Sequence, residues 1–255
     1  MNILTRIIGA TLCLAVIGLS PVLLAADKED GDKQQGGKTT APAEAKKQVS
    51  SSGKKQQIPV YVPPRRGAPL ARVGGGTRGI SDELPFISVI TPEDTGYTST
   101  RQPVLYWYIS ESMQTHFEFA LINEDEIDPI IEVTTDEDMK AGLNSLDLAD
   151  VKVSLKPGVS YQWSVALVAD ADKRSSDVVS SGQIELLELT DEQKARLGTA
   201  SPQEAVMIYA SEGYWYDTFA TLSDLISKDP DNAALREQRK SLLRQIDLEE
   251  AARVE

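Results

Sequence analysis

Residues 155–165 read LKPGVSYQWSV. A leucine and a Lys-Pro-Gly turn precede Tyr161, and from there Tyr161, Trp163 and Val165 alternate on one side of an extended run. A tyrosine at the start of a strand after such a corner is placed to return its hydroxyl to backbone just upstream, the tyrosine corner of immunoglobulin-like and fibronectin type III domains. The stretch therefore reads as a central strand of a β domain.

Working outward, further apolar and β-branched runs follow one another: FISVIT (86–91), PVLYWYI (103–109), HFEFALI (116–122), PIIEVTT (129–135), YQWSVALVA (161–169) and GQIELLEL (182–189). Gly, Pro, Asn and Asp clusters separate them, as expected of short strands joined by turns. Residues 80–189 are thus expected to form an immunoglobulin or fibronectin type III-like β-sandwich, with Trp107 as a core tryptophan of an early strand.

From Thr190 the period changes. TDEQ (190–193) and SPQE (201–204) are capping boxes, and Pro202 suits a first helical position. One helix is expected from about 202 to Gly213. A second starts near Trp215 with Phe219, Leu222, Leu225 and Ile226 on one face. Asp229-Pro230 ends it, and a third begins near Asn232 with Leu235, Leu242, Leu243 and Ile246 as its stripe. Residues 190–255 thus form a helical region following a mostly β body. Within it, YASEGYWYDTFATLSDLISKDPDN (209–232) resembles one tetratricopeptide unit, with Gly213 standing 17 residues before Pro230. A single unit cannot build a solenoid, so these helices are expected to pack on the β body.

The front of the chain differs in kind. MNILTRIIGATLCLAVIGLSPVLLAAD carries one early Arg6, an apolar run and then Ala25 and Ala26. Residues 1–26 read as a secretory signal peptide, an uncleaved membrane anchor being the rival reading. Cys13 lies mid-run after Leu12, which does not suit a lipoprotein signal. It is the chain's one cysteine, and cleavage leaves a mature protein without a thiol, hence without a disulfide or a thiolate nucleophile. The expected location is periplasmic or secreted, with no membrane span after cleavage. Residues 27–60 hold almost no large apolar side chain and read as a disordered linker.

Residues 61–79, YVPPRRGAPLARVGGGTRG, form a basic arm with Arg65, Arg66, Arg72 and Arg78. The formal net charge of the whole chain is −13. Residues 80–255 carry about −20, which repels nucleic acid and anionic headgroups. The arm is expected either to dock on its own acidic body, its four arginines pairing with surface carboxylates, or to bind another exported protein or a cell-wall polymer. GGGTRG (74–79) lacks the strand-loop-helix setting and the Gly-Lys-Ser/Thr close of a phosphate loop.

The chemistry-bearing residues point away from catalysis. Glu124, Asp125, Glu126 and Asp128 fall in one turn and Asp136, Glu137 and Asp138 in another, where acids are solvated, whereas a general acid needs burial to tune it. Asp170, Asp172 and Asp177 in DADKRSSD (170–177) suggest calcium only without the EF-hand glycine and closing glutamate, and read better as a hydrophilic loop. His116 is the single histidine. It has no His or Cys partner for a metal, and no Gly-x-Ser-x-Gly elbow accompanies it. No catalytic residue, metal site or cofactor is assigned. Tyr209, Tyr214, Trp215 and Tyr216 cluster; Tyr214 and Tyr216 are candidate binding residues, as a sugar platform or as a cover over the junction of helices and sheet.

Taken together, RRGAPLARVGGGTRG (65–79), YQWSV (161–165) and YASEGYWYDTFATL (209–222) resemble the bacterial domain-of-unknown-function family 928. One departure is Arg239, where the family pattern carries an aromatic four residues before Leu243. The resemblance implies an exported protein and supplies no catalytic residues. The expected role is an exported, non-enzymatic interaction or structural protein. The alternative is an extracytoplasmic carbohydrate- or cell-wall-binding module, and after that a hydrolase.

Overall fold

Trp163 lies at the centre of a five-stranded sheet in the computed structural model, which describes residues 57–64, 72–73, 85–123, 126, 128–168, 170 and 172–255. The strands in chain order are β1 (Ile87–Val89), β2 (Gly96–Thr98), β3 (Val104–Ile109), β4 (Met113–Gln114), β5 (His116–Asn123), β6 (Ile131–Thr135), β7 (Asp138–Met139), β8 (Gly142–Asp147), β9 (Ser160–Val168) and β10 (Val178–Leu186). The helices are α1 (Asp191–Thr199), α2 (Pro202–Ser211), α3 (Trp215–Lys228), α4 (Ala233–Gln245) and α5 (Glu249–Arg253). The expected signal peptide and most of the expected linker lie outside the described residues, as do Arg65, Arg66 and Arg78.

The large sheet runs β2-β10-β9-β5-β6, and a three-stranded sheet runs β1-β3-β8. β4 and β7 form a two-stranded ribbon. Pairing is antiparallel except between β2 and β10, where Gly96, Tyr97 and Thr98 lie parallel to Ile184, Glu185 and Leu186. The corner forms: Tyr161 Oη accepts from the Lys156 N–H at 2.9 Å. Trp163 and Val165 point with Tyr161 into the shared interior, fully buried. Across that interior Trp107 stacks on Phe117 with ring centroids 5.2 Å apart. Gly182, opposite Trp163 in register, lets the sheets approach, because a Cβ there would stand 2.1 Å from the Thr91 methyl carbon.

The expected immunoglobulin or fibronectin type III sandwich, mostly β with a helical hairpin appended, is corrected. The sheets have five, three and two strands, include a parallel pair and do not close. Five helices hold nearly as many residues as the strands, so the chain is of mixed α and β class. The physical reason lies in β3. Leu105, Trp107 and Ile109 face the large sheet, while Tyr106 and Tyr108 on the other face meet helical residues or their connections. Tyr106 packs edge-on against Phe219 of α3 at 5.1 Å. Phe86 and Ser88 line a small cavity with Leu248 and Ala251. Strands β1 and β3 of the small sheet thus lie in a middle layer with both faces covered, while β8 at its edge is only partly buried.

Local signals set the helices. Thr190 and Ser201 close capping boxes with Gln193 and Glu204. Gly213 takes a φ of +84° in the turn before α3, a conformation glycine adopts without steric penalty. Asn232 caps α4 by accepting from the Ala234 and Leu235 N–H groups. α3 carries the apolar face expected of it, with Trp215, Phe219, Leu222, Leu225 and Ile226 buried. No described helix is long and apolar enough to cross a membrane.

Candidate functional site

The expected aromatic platform is internal. Tyr214 and Tyr216 are each 2% exposed, so neither ring offers a face to a sugar. Tyr216 instead joins helix to sheet. Its hydroxyl donates to the Gln183 carbonyl at 2.9 Å. The same oxygen accepts from Trp163 Nε1 at 2.8 Å, and Thr91 Oγ1 completes the set at 3.0 Å. One donor and two acceptor positions are thereby used, which is what a phenol buried here requires. Burial pushes its pKa well above the usual tyrosine value. Beside it Trp215 Nε1 donates to the Ile90 carbonyl at 2.9 Å. Tyr214 donates to Gln193 Oε1 at 3.3 Å.

Asp217, two residues into α3, is also buried. It accepts from the Ser99 N–H at 2.8 Å and from the Ser99 hydroxyl. Burial raises its pKa, with the Ser99 hydrogen bonds opposing. The carboxylate pins the turn after β2 to the helix start and faces no cleft.

Asp136 and Asp177, from two of the acidic loops, meet Glu118 of β5 through basic partners. Arg174 binds both Glu118 oxygens, at 2.7 and 2.5 Å, and its Nε meets Asp177 at 2.8 Å. The Arg174 hydrogen bonds hold the Glu118 carboxyl below its usual range. His116 contacts Asp136 at 2.7 Å through Nδ1 and Glu118 at 3.4 Å through Nε2. The Asp170 side chain accepts from the Asp172 N–H, while Asp177 is turned to Arg174. Among the described residues no group of three His, Cys, Asp or Glu is placed to hold a metal ion. Glu124 and Asp125 lie outside the described residues.

A cleft of about 470 Å³ opens between the β3–β8 edge and α4, lined in part by Tyr108, Leu143, Arg236, Arg239 and Glu255. Arg239 stands 6.0 Å over the Phe219 ring, donates to Ser223 Oγ and pairs with Glu255 at 2.6 Å. Its long side chain thus does the packing against α3 that an aromatic residue at this position would do, and its charge is matched within the cleft wall.

The arm docks at two places. Val73 makes a two-bond antiparallel bridge with Ser181, 3.1 Å in each direction. Ser180 Oγ adds a bond to the Val73 carbonyl at 2.9 Å. These bonds extend the pairing along β10 upstream of the point where β2 begins. Arg72, expected to pair with a carboxylate, donates from one nitrogen to the Thr91 carbonyl at 2.9 Å and the Ile246 carbonyl at 3.0 Å. Ile246 is the C-cap of α4, where orphan carbonyls and the negative end of the helix dipole attract a cation. Burial lowers the Arg72 pKa, with Glu93 and Asp247 acting against that.

The second docked stretch was not legible as a site. Residues 57–64 form a strap across α2 and α4. Gln238 donates to the Gln57 carbonyl at 2.7 Å and Gln245 to the Pro59 carbonyl at 2.9 Å. The Tyr61 N–H returns to Gln245 Oε1 at 2.9 Å, and the Val62 N–H to the Ala210 carbonyl at 3.0 Å. Tyr61 is buried edge-on against Trp215 at 5.0 Å. At Gly213 the strap passes so close that a Cβ would sit 3.0 Å from the Val62 carbonyl oxygen. Pro59 and Tyr61 face inward. Between and beside them Ile58, Val60 and Val62 are 49%, 64% and 50% exposed. The signal was the alternation I-P-V-Y-V, which a reading of the region as linker passes over.

No curated protein matches the chain. Residues 73–255, which hold Val73 and every described strand and helix but not the strap, match the Domain of Unknown Function DUF928, and the chain belongs to that family.

Proposed function

We propose that this is an exported, non-enzymatic interaction protein that meets its partner through the strap. The observation that carries the reading is the row Ile58, Val60 and Val62, three aliphatic side chains turned outward at every second position of a segment whose backbone is tied to two helices. Single exposed apolar residues are ordinary, but a fixed row of them is the kind of surface that partners cover. Holding the strap in place before contact lowers the ordering entropy that binding must overcome. The apolar leader supports export.

The test is site-specific photo-crosslinking in cells, with benzoylphenylalanine at Val60 and, as control, at exposed Glu192 of α1. Discrete adducts in the envelope fraction at Val60, lost when Ile58 and Val62 become serine, are expected. Absence of Val60 adducts, or the same adducts from Glu192, overturns the proposal.

A further inference from the structure

We infer that the cleft between the β3–β8 edge and α4 binds a small organic monocarboxylate that carries an aliphatic group. The inference does not rest on the strap.

The size of the cleft is that of a small-molecule site. Its volume of about 470 Å³ falls within the roughly 300–1,000 Å³ of such sites. The space equals that of about fifteen water molecules, enough for a capped amino acid and too little for a folded domain.

Charge selects an anion. Arg236 and Arg239 both line the cleft and stand three residues apart on α4, which puts them side by side on the helix. Arg239 is committed to the wall. It donates to Ser223 Oγ at 3.2 Å, pairs with Glu255 at 2.6 Å and keeps its Nε buried. Arg236 is exposed and donates one N–H to the Pro230 carbonyl. Among the described residues no carboxylate pairs with it, so the other N–H donors of its guanidinium remain for a ligand. A planar guanidinium fork matches the two oxygens of a carboxylate.

The same balance limits the ligand to one negative charge. With Arg239 matched by Glu255, Arg236 supplies a single uncompensated positive charge. Glu255 on the same wall repels a second negative charge, which disfavours a phosphate dianion. A metal cation meets two guanidinium groups, and nucleic acid meets an acidic body.

The rest of the cleft suits an aliphatic group. Leu143 of β8 and Val254 line it beside the arginines, and Val254 is 60% exposed. A ligand that seats its carboxylate on Arg236 and an alkyl group on these two removes apolar surface from water.

The experiment is isothermal titration calorimetry of the purified protein with N-acetyl-L-leucine, with its uncharged amide and with phenyl phosphate. N-acetyl-L-leucine is expected to bind saturably, at least about tenfold more tightly than the amide, and to weaken as salt rises. It is also expected to bind more tightly than phenyl phosphate. Arg236→Gln, at an exposed position, is expected to melt as wild type does and to lose about tenfold in affinity. Val254→Ser is expected to lose about threefold. Glu255→Gln has the opposite sign: it leaves Arg239 unmatched and is expected to bind phenyl phosphate more tightly than wild type does. Absence of saturable binding overturns the inference, as does equal affinity for the amide, a comparison that needs no variant. Affinity unchanged in Arg236→Gln overturns it too. Tighter binding of phenyl phosphate than of N-acetyl-L-leucine by the wild type removes the monocarboxylate.

Discussion

The two main sheets are covered differently. The three-stranded sheet lies between the large sheet and the helical layer, so Trp107 meets Phe117 on one side and Tyr106 meets Phe219 on the other. The five-stranded sheet is covered on one face by the small sheet and, toward its β2 edge, by α3, whose Tyr216 reaches Trp163 and the Gln183 carbonyl. On its other face Gln162, Glu132, Thr134 and Val179 are exposed, and no described helix packs there. The difference teaches that a strand's second face reports the number of layers. The largest expected effect belongs to the interior that both sheets share. Trp163→Ala removes a fully buried indole and is expected to cost about 3–5 kcal/mol, read as a shifted midpoint in urea unfolding. A loss under about 1 kcal/mol would mean that the sheets do not pack as described.

Next comes the middle layer's second face. Tyr106→Ala strips the ring that Phe219 packs on and is expected to cost about 2–3 kcal/mol, less than Trp163→Ala because Tyr106 is only partly buried. A surface-sized effect at Tyr106 would detach the helices from the small sheet and erase the contrast between the sheets.

That second face also explains what the sequence disclosed. Segments whose structure follows from local chemistry were readable. The Pro-Gly corner before Tyr161, the capping boxes at Thr190 and Ser201, the turn at Gly213 and the stop at Asp229-Pro230 all act within a few residues. The layer arrangement was not readable in the same way. PVLYWYI reads as a strand of a two-layer sandwich, although Tyr106 and Tyr108 make its second face aromatic too. Parallel pairing of β2 with β10 joins residues nearly ninety positions apart, and nothing in GYT announces it. Arg72 was legible as a cation but not as the partner of the Ile246 carbonyl, since its partner is a helix end and not a charged residue. Tyr214 and Tyr216 were legible as aromatics that either form a platform or cover the junction of helices and sheet; the choice between the two needs the packing of the helix on the sheet, which buries both.

Tyr216→Phe tests the seam between layers more gently. The ring stays, but Trp163 Nε1 and the Gln183 carbonyl lose their shared partner. Buried groups left without partners are expected to lower stability by about 1–3 kcal/mol. Neutral behaviour would mean that water or Thr91 takes the hydroxyl's place.

Smaller still are two carboxyl groups of the helical layer with opposite pH signatures. The Asp217 pKa is raised by burial, so its neutral form favours the fold; its contribution is full in acid and is lost as pH rises through that raised value. The Glu212 pKa is lowered by Gln193 and Arg196, so its contribution is present above the ordinary glutamate value and lost as pH falls through the lowered one. The melting temperature of wild type relative to Asp217→Asn is therefore expected to fall as pH rises above the ordinary aspartate value. Relative to Glu212→Gln it is expected to rise with pH from the acid side. The same trend for both variants would place Asp217 in solvent and remove the helix from the turn after β2.

The smallest effect is expected on the exposed face of the large sheet, and it is the sharpest control. Gln162 stands on β9 between Gln183 of β10 and Ile122 of β5 in register, with its side chain in solvent. Gln162→Ala removes no buried contact and is expected to change stability by less than about 0.5 kcal/mol. It lies one residue from Trp163, on the same strand and between the same two strands, so the two substitutions probe opposite faces of one place in the sheet. If Gln162→Ala lowered stability by more than about 1 kcal/mol, that face would be covered in solution as the small sheet's is. The protein would then have a fourth layer, and the contrast between its sheets would be one of degree.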